Sequence, residues 1–188
     1  MKISRNEIKA IAIKYGIDFS SLMAIMATET PMKGFDDATG KLLIQFEPVW
    51  FKRRAPFMPS GKWSVNKVDV QSKEWLAFND AFALNATAAM EATSIGLPQI
   101  LGVNYKQCGY KSVHEMWDDF KLGEANQVEA LCRFILNNKR LYTAVKAEDW
   151  HTVAEIYNGK EYQSLAAKLG REPYNITLAK NKKIYLAA

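Results

Sequence analysis

Helix start and stop signals punctuate this chain, and they restrict its fold more than any other property. Ser4-Arg5-Asn6-Glu7 has the Ser-x-x-Glu form of a capping box, in which serine oxygen and glutamate carboxylate each accept from an otherwise unpaired backbone N–H. Ile8, Ile11, Ala12 and Tyr15 follow at helical spacing and stop at Gly16, a residue suited to the left-handed turn that ends a helix. Asp18 can cap a second helix with a broad apolar face of Phe19, Leu22, Met23, Ile25 and Met26, stopped by Pro31. A second capping box, Ser112-Val113-His114-Glu115, opens a helix through Met116, Trp117 and Phe120 to Gly123. Further helices are expected from Ser72 to Leu84, from Asn85 to Ala92, from Glu124 to about Asn138 and from about Asp149 to Asn158.

One region departs from this pattern. Gly34, Asp36, Asp37 and Gly40 are turn formers, and Leu42-Leu43-Ile44-Gln45-Phe46-Glu47 reads as a short strand, so a small β element is inserted among helices. Pro48 can open a short helix through Phe51, after which Pro56, Pro59 and Gly61 mark an irregular connection. Ser94-Ile95-Gly96-Leu97-Pro98-Gln99-Ile100-Leu101-Gly102 reads as a loop entering a short helix. The length of 188 residues, with 48% hydrophobic and 24% charged, fits one globular domain over 1–188 and argues against disorder. No internal repeat or low-complexity segment divides it.

Cys108 and Cys132 have neither zinc-ligand spacing nor a disulfide-rich frame, which makes reduced buried thiols the default and leaves a single bridge open. His114 and His151 form no metal pattern, and no Cys-His nucleophile motif is present. A phosphate-cradling Gly-rich loop and a dinucleotide fingerprint are both missing, which excludes the nucleotide enzymes.

The net charge of +5 is concentrated at the C-terminus, where residues 160–188 hold six basic residues against two acids and supply +4 of it. An anionic partner is implied: nucleic acid, an anionic membrane leaflet and a bacterial cell envelope all qualify electrostatically. Ile176 to Ala188 mixes Leu178, Ile184 and Leu186 with Lys180, Lys182 and Lys183, a composition compatible with an interfacial amphipathic segment. The polar N-terminus lacks the apolar core of a secretory signal, so synthesis in the cytoplasm is expected, and no apolar run is long enough for a membrane span.

The chemistry starts at Glu29, which closes the apolar helix before Thr30-Pro31. A helix C-terminus carries partial negative charge, and apolar neighbours desolvate a carboxylate, so both effects raise its pKa. A glutamic acid protonated near neutral pH can donate to a leaving oxygen, as glycoside cleavage requires.

Four elements, its own among them, stand out together. They are Glu29-Thr30 with the Gly34 turn, Ile44-Gln45-Phe46-Glu47, the run from Ala92 to Tyr105 around Ser94-x-Gly96-x-x-Gln99, and Ile156-Tyr157-Asn158-Gly159. In this order and spacing the chain resembles the bacteriophage peptidoglycan muramidases of the lysozyme superfamily, found as endolysins. The resemblance implies a mainly α, lysozyme-like α+β fold with the small β element flanking the active-site cleft. It also implies an N-acetylmuramidase that needs no metal or other cofactor, with Glu29 as proton donor. Glu47, 18 positions on, is the candidate second carboxylate, to activate water or stabilise an oxocarbenium-like transition state. A salt bridge to Arg53 or Arg54, or a cap beside Pro48, is the structural alternative for Glu47.

Ser94, Gly96, Gln99, Tyr157 and Asn158 are the candidate substrate-binding residues, because sugar amides and hydroxyls need paired donors and acceptors and a glycine lets backbone approach a glycan. Structural hydrogen bonds for Gln99 and Asn158, and a core position for Tyr157, are the competing readings. The expected partner is the glycan strand of peptidoglycan, reached in the periplasm once the inner membrane is permeabilised, by a monomer with no nucleic-acid partner. The basic segment is expected to assist at an anionic lipid or outer-membrane surface. A lytic transglycosylase giving 1,6-anhydro products and a non-catalytic cationic envelope-binding protein are the alternatives.

Overall fold

The structure, a computed structural model, describes residues 2–30, 32–67 and 70–187. Among these it holds eleven α-helices and a three-stranded sheet. Helix α1 (Arg5–Tyr15) begins at Ser4 with both halves of the capping box formed and ends at Gly16, whose φ of 63° lets its N–H return to the carbonyls of Ala12 and Ile13. Helix α2 (Phe19–Glu29) is capped by Asp18, which accepts from the Ser21 N–H at 2.8 Å. Every residue from Ser20 to Met26 is buried. A helix enclosed on all sides in this way is the central element of the fold. It stops at Glu29, with Thr30 extended at φ −142°; Pro31, the expected stop, lies outside the described residues.

The β element is a mixture of expectation and correction. Strand β1 (Ile44–Phe46) falls within the expected strand and is followed by α3 (Pro48–Arg54). The stretch read as a loop entering a short helix is instead a hairpin, β2 (Thr93–Ile95) and β3 (Ile100–Leu101), and only then a single 3-10 turn, Gly102–Asn104. Gly96 at φ 69° and Gln99 at φ 45° turn the chain, and Ile95 and Ile100 pair across the hairpin with both side chains buried, which accounts for the strand conformation. β2 lies between the other two strands, antiparallel to both, with Gln45 opposite Ser94 and Ser94 opposite Leu101.

Helices α4 (Gln71–Leu84) and α5 (Ala86–Glu91) lead into the hairpin, and α6 (Val113–Leu122) and α7 (Glu124–Asn137) follow it. Two buried carboxylates pin the irregular segments to them. Glu74 of α4 accepts from the Phe46 N–H at 2.8 Å, and Glu124 of α7 accepts from the N–H groups of Ile3 and Gly34 at 2.8 and 2.7 Å. One continuous hydrophobic core runs from Ile8 to Leu178 and includes a stacked Phe78–Trp117 pair with centroids 4.8 Å apart. Cys108 and Cys132 are separate free thiols in it.

The C-terminal third departs furthest from the sequence reading. Besides the expected α9 (Trp150–Asn158), it forms α8 (Lys139–Lys146), α10 (Tyr162–Lys168) and α11 (Tyr174–Leu186). The described part of the segment read as interfacial and amphipathic, from Ile176, falls within α11, which lies along α2 in the most extensive pairing among the described elements. Only Leu178 and Lys182 are buried in it, so no apolar stripe announces the contact. No helix among the described residues is long and apolar enough to cross a membrane.

Candidate active site

Glu29 is carried to the site by α2 and fixed there by what surrounds the helix end. Thr30 donates its hydroxyl to the Leu97 carbonyl at 3.1 Å, tying the helix C-terminus to the hairpin tip. On the other side the Asn181 amide of α11 donates to the Thr28 hydroxyl at 2.9 Å. The Glu29 residue keeps some exposed surface, while protein atoms close round its carboxyl group. That burial pushes its pKa up to about 7, and a hydrogen bond donated by the Tyr174 hydroxyl to Oε1 acts in the opposite direction. The α2 dipole also disfavours the charged form. A carboxyl group so placed is partly protonated at neutral pH and can act as an acid.

Two tyrosines form the wall behind it. Tyr174 of α11 and Tyr157 of α9 stack with centroids 6.4 Å apart and planes 18° from parallel, and Phe134 meets Tyr157 edge-on at 6.0 Å. Burial, reinforced by the charge of Glu29, holds both phenols well above their ordinary pKa, so both remain protonated donors. The Tyr157 hydroxyl is buried with no hydrogen-bond partner among the described residues. Asn158 sits exposed at the end of α9.

The sheet presents Glu47, the candidate second carboxylate. Directly opposed residues of antiparallel strands share a face, and residues two apart on a strand share it too, so Gln45, Glu47 and Ser94 project from the half-buried face while Ile44, Phe46, Thr93 and Ile95 enter the core. Glu47 accepts from the Gln45 side-chain amide at 2.7 Å, and its N–H bonds the Ala92 carbonyl at 2.9 Å. The salt bridges considered for Glu47 are used elsewhere: Arg54 pairs with Glu91 at 2.8 Å and Arg53 lies over the Trp50 ring. Its side chain does not cap α3 either.

The hairpin tip is held by Gln127, fully buried on α7. Its Oε1 accepts from the Leu97 N–H at 2.8 Å and its Nε2 donates to the Phe120 carbonyl at 3.0 Å. Gly34 and Gly96 both lie against this amide, and a Cβ would stand 2.1 Å and 2.7 Å from its Oε1. Gly96 is thus required by the packing of Gln127. Gln99 donates from Nε2 to the Gly96 carbonyl at 2.7 Å and closes the same turn. Two surface cavities, of about 520 Å³ beside Lys41, Gln71 and Trp75 and about 590 Å³ beside Arg140 and Thr143, are formed by other parts of the surface.

A family model described as N-acetylmuramidase matches residues 18–177, from the cap of α2 to the first turn of α11. The chain belongs to the N-acetylmuramidase family. Among solved structures this muramidase is similar to an endolysin of the Burkholderia phage AP3, at 28% identity and a TM-score of 0.81, over 99% of this chain and 72% of that one. A comparison with curated proteins found no match. The family and the structural neighbour make the protein a peptidoglycan hydrolase of the endolysin type.

Sequence reasoning missed three residues that shape this candidate site. Tyr174 and Gln127 act across 145 and 30 positions of chain, and neither stands in a motif. Thr30 was visible only as the neighbour of Glu29, although its polar side chain at a helix end packed on a loop is a signal for such a tie.

Proposed function

We propose that this muramidase cleaves the β-1,4 glycosidic bond between N-acetylmuramic acid and N-acetylglucosamine, with Glu29 as proton donor. The observation that carries the reading is the enclosed Glu29 carboxyl at the end of α2, its pKa pushed up to about 7 by burial. Glu29 gives its proton to the leaving oxygen as the bond from the muramic acid C1 breaks. Water then adds to C1, and its proton passes to a carboxylate. Glu47 is the candidate for that carboxylate, or for stabilising the positive charge that develops on the sugar ring; its place on the polar sheet face beside Gln45 and Ser94 supports the reading. Ser94, Gln99, Tyr157 and Asn158 are proposed to bind glycan, with the unpartnered Tyr157 hydroxyl the strongest candidate, because a buried donor without a partner is costly until a ligand supplies one. Gly96 would act by keeping the hairpin tip close to the chain.

Residues 1–188 are taken as one catalytic unit that works as a monomer on glycan strands. As an endolysin it would be made in the host cytoplasm and would meet peptidoglycan in the periplasm after the inner membrane is opened. Contact with an anionic envelope surface would fall to the outer side of α11, where Ile176, Lys183, Ile184 and Leu186 are exposed. Binding of the whole protein to phosphatidylglycerol vesicles at low salt, weakened by Lys183→Ser with Ile184→Ser, is the expected result; no binding by the wild type removes this role.

The test of the reaction is mass spectrometry of the fragments released from purified peptidoglycan. Reducing-end muramic acid products are expected, lost by about 10²–10⁴-fold in Glu29→Gln. Anhydro-muramic products would transfer the protein to the transglycosylases. Glu47→Gln should also slow release, by about 10²-fold. A dispensable Glu47 would favour an intramolecular attack without water.

A further inference from the structure

We infer that Tyr174 is a positioning residue for the general acid, and that α11 is the element that delivers it. The inference rests on the reading of Glu29 as proton donor and adds the group that decides which of its two oxygens does the work. The Tyr174 hydroxyl donates to Glu29 Oε1, and with that lone pair engaged the acidic proton resides on Oε2. The same hydrogen bond prevents rotation of the carboxyl group. Stacking on Tyr157 fixes the plane of the Tyr174 ring, so the phenol is held from two sides.

The placement of Tyr174 depends on how α11 is docked. At the far end of the helix, Lys182 is buried and points its ammonium at the N-terminus of α2, where it bonds the Asp18 carboxylate, the Ser21 hydroxyl at 3.0 Å and Glu148 at 3.3 Å. Asn181 adds the bond to Thr28. Tyr174 therefore reaches Glu29 from a helix anchored along the length of the helix that carries Glu29.

Among the described residues, few titratable groups act on the Glu29 carboxyl. Tyr174 comes from α11 and Tyr157 from α9, with Cys108 and Cys132 acting on Tyr157 in turn. The hairpin tip from Gly96 to Gln99 has no ionisable side chain. Helix α1 directs Arg5 to the Phe19 ring and Lys14 to Glu129. Asp18, Lys182 and Glu148 lie at the other end of α2, about 16 Å away for a helix of its length.

The experiment is the pH dependence of kcat/KM for glycan release by Tyr174→Phe, by protein carrying 3-fluorotyrosine at position 174, and by Glu29→Gln. The phenol bond stabilises the ionised carboxylate, so its loss should raise the alkaline limb of Tyr174→Phe by about one pH unit and lower kcat about tenfold. The fluorinated ring, nearly isosteric and a stronger donor, should move the limb the other way. A limb that stays put in both proteins, whatever happens to the melting temperature, would leave Tyr174 a merely structural residue. Should Tyr174→Phe fail to fold, the fluorinated protein decides alone. Undiminished turnover by Glu29→Gln would instead reject the underlying assignment, whatever Tyr174 does.

Discussion

Glu29 is placed where burial and the end of α2 disfavour a carboxylate, and this makes the stability of the fold depend on pH. Its pKa rises on folding from an ordinary 4.5 to about 7, so the folded state prefers the protonated form. Stability from this source is present below about pH 4.5 and is lost as pH rises through about 7, on the order of 3 kcal/mol in all. Glu29→Gln cannot ionise, so in urea titrations it should gain on the wild type as pH rises from 4 to 8; a constant difference would show that the carboxyl is not buried in solution. At Gly96 two constraints coincide, a φ of 69° and the Gln127 amide where a Cβ would go. Gly96→Ala should therefore destabilise by about 2 kcal/mol, whereas an exposed glycine such as Gly40, with nothing within 4 Å, suffers only the conformational part. Glu29 was legible in sequence because the end of an apolar helix is a local pattern. Tyr174 and Gln127 were not, because each acquires its role from a contact that only the folded chain creates.

Among the elements, an apolar stripe made most helices legible with or without a side-chain cap, as α4 and α7 show, whereas the short α8 was missed although Asn138 caps it and Leu141, Ala144 and Val145 are buried. α1 and α2 match their expected bounds because Ser4, Gly16 and Asp18 supply explicit ends. The β2–β3 hairpin was hidden by its shortness: three residues against two give too little alternation to tell a strand from a loop. α11 was hidden differently, since a lysine occupies one of its two buried positions. Lys182 should be the residue on which its docking depends. Its side chain is only 8% exposed, but Asp18 and Glu148 remain more than half exposed and can be solvated when it is removed. Lys182→Ala is thus expected to loosen α11 without unfolding the rest. Hydrogen exchange should report faster amides over residues 174–186 and unchanged protection in α7, and glycan release should fall as Tyr174 loses its anchor. Uniform acceleration across all helices would contradict this.

At the scale of the molecule, helical class, small β insertion and family were all readable from pattern and motif order, and the family model and the structural neighbour bear them out. The distribution of charge was readable only as composition. Of the six basic residues after position 159, Lys182 is buried against Asp18, so the outward-facing basic charge is smaller than the count suggests, while Lys180 stays exposed in a surface pair with Glu172. A core continuous from Ile8 to Leu178 predicts one cooperative unfolding transition, with far-UV circular dichroism and tryptophan fluorescence coinciding in urea. Cys108 and Cys132, both buried and with thiols pushed up to about 12, should be silent to a thiol reagent until that transition. We propose that Glu29, buried and poised near neutrality, drives glycan cleavage. The most direct test is the rate of fragment release from purified peptidoglycan between pH 4 and 10, for wild type beside Glu29→Gln. A wild-type rate falling above about pH 7 with the variant at least 10²-fold slower is the predicted result; a variant that releases fragments at the wild-type rate would contradict it.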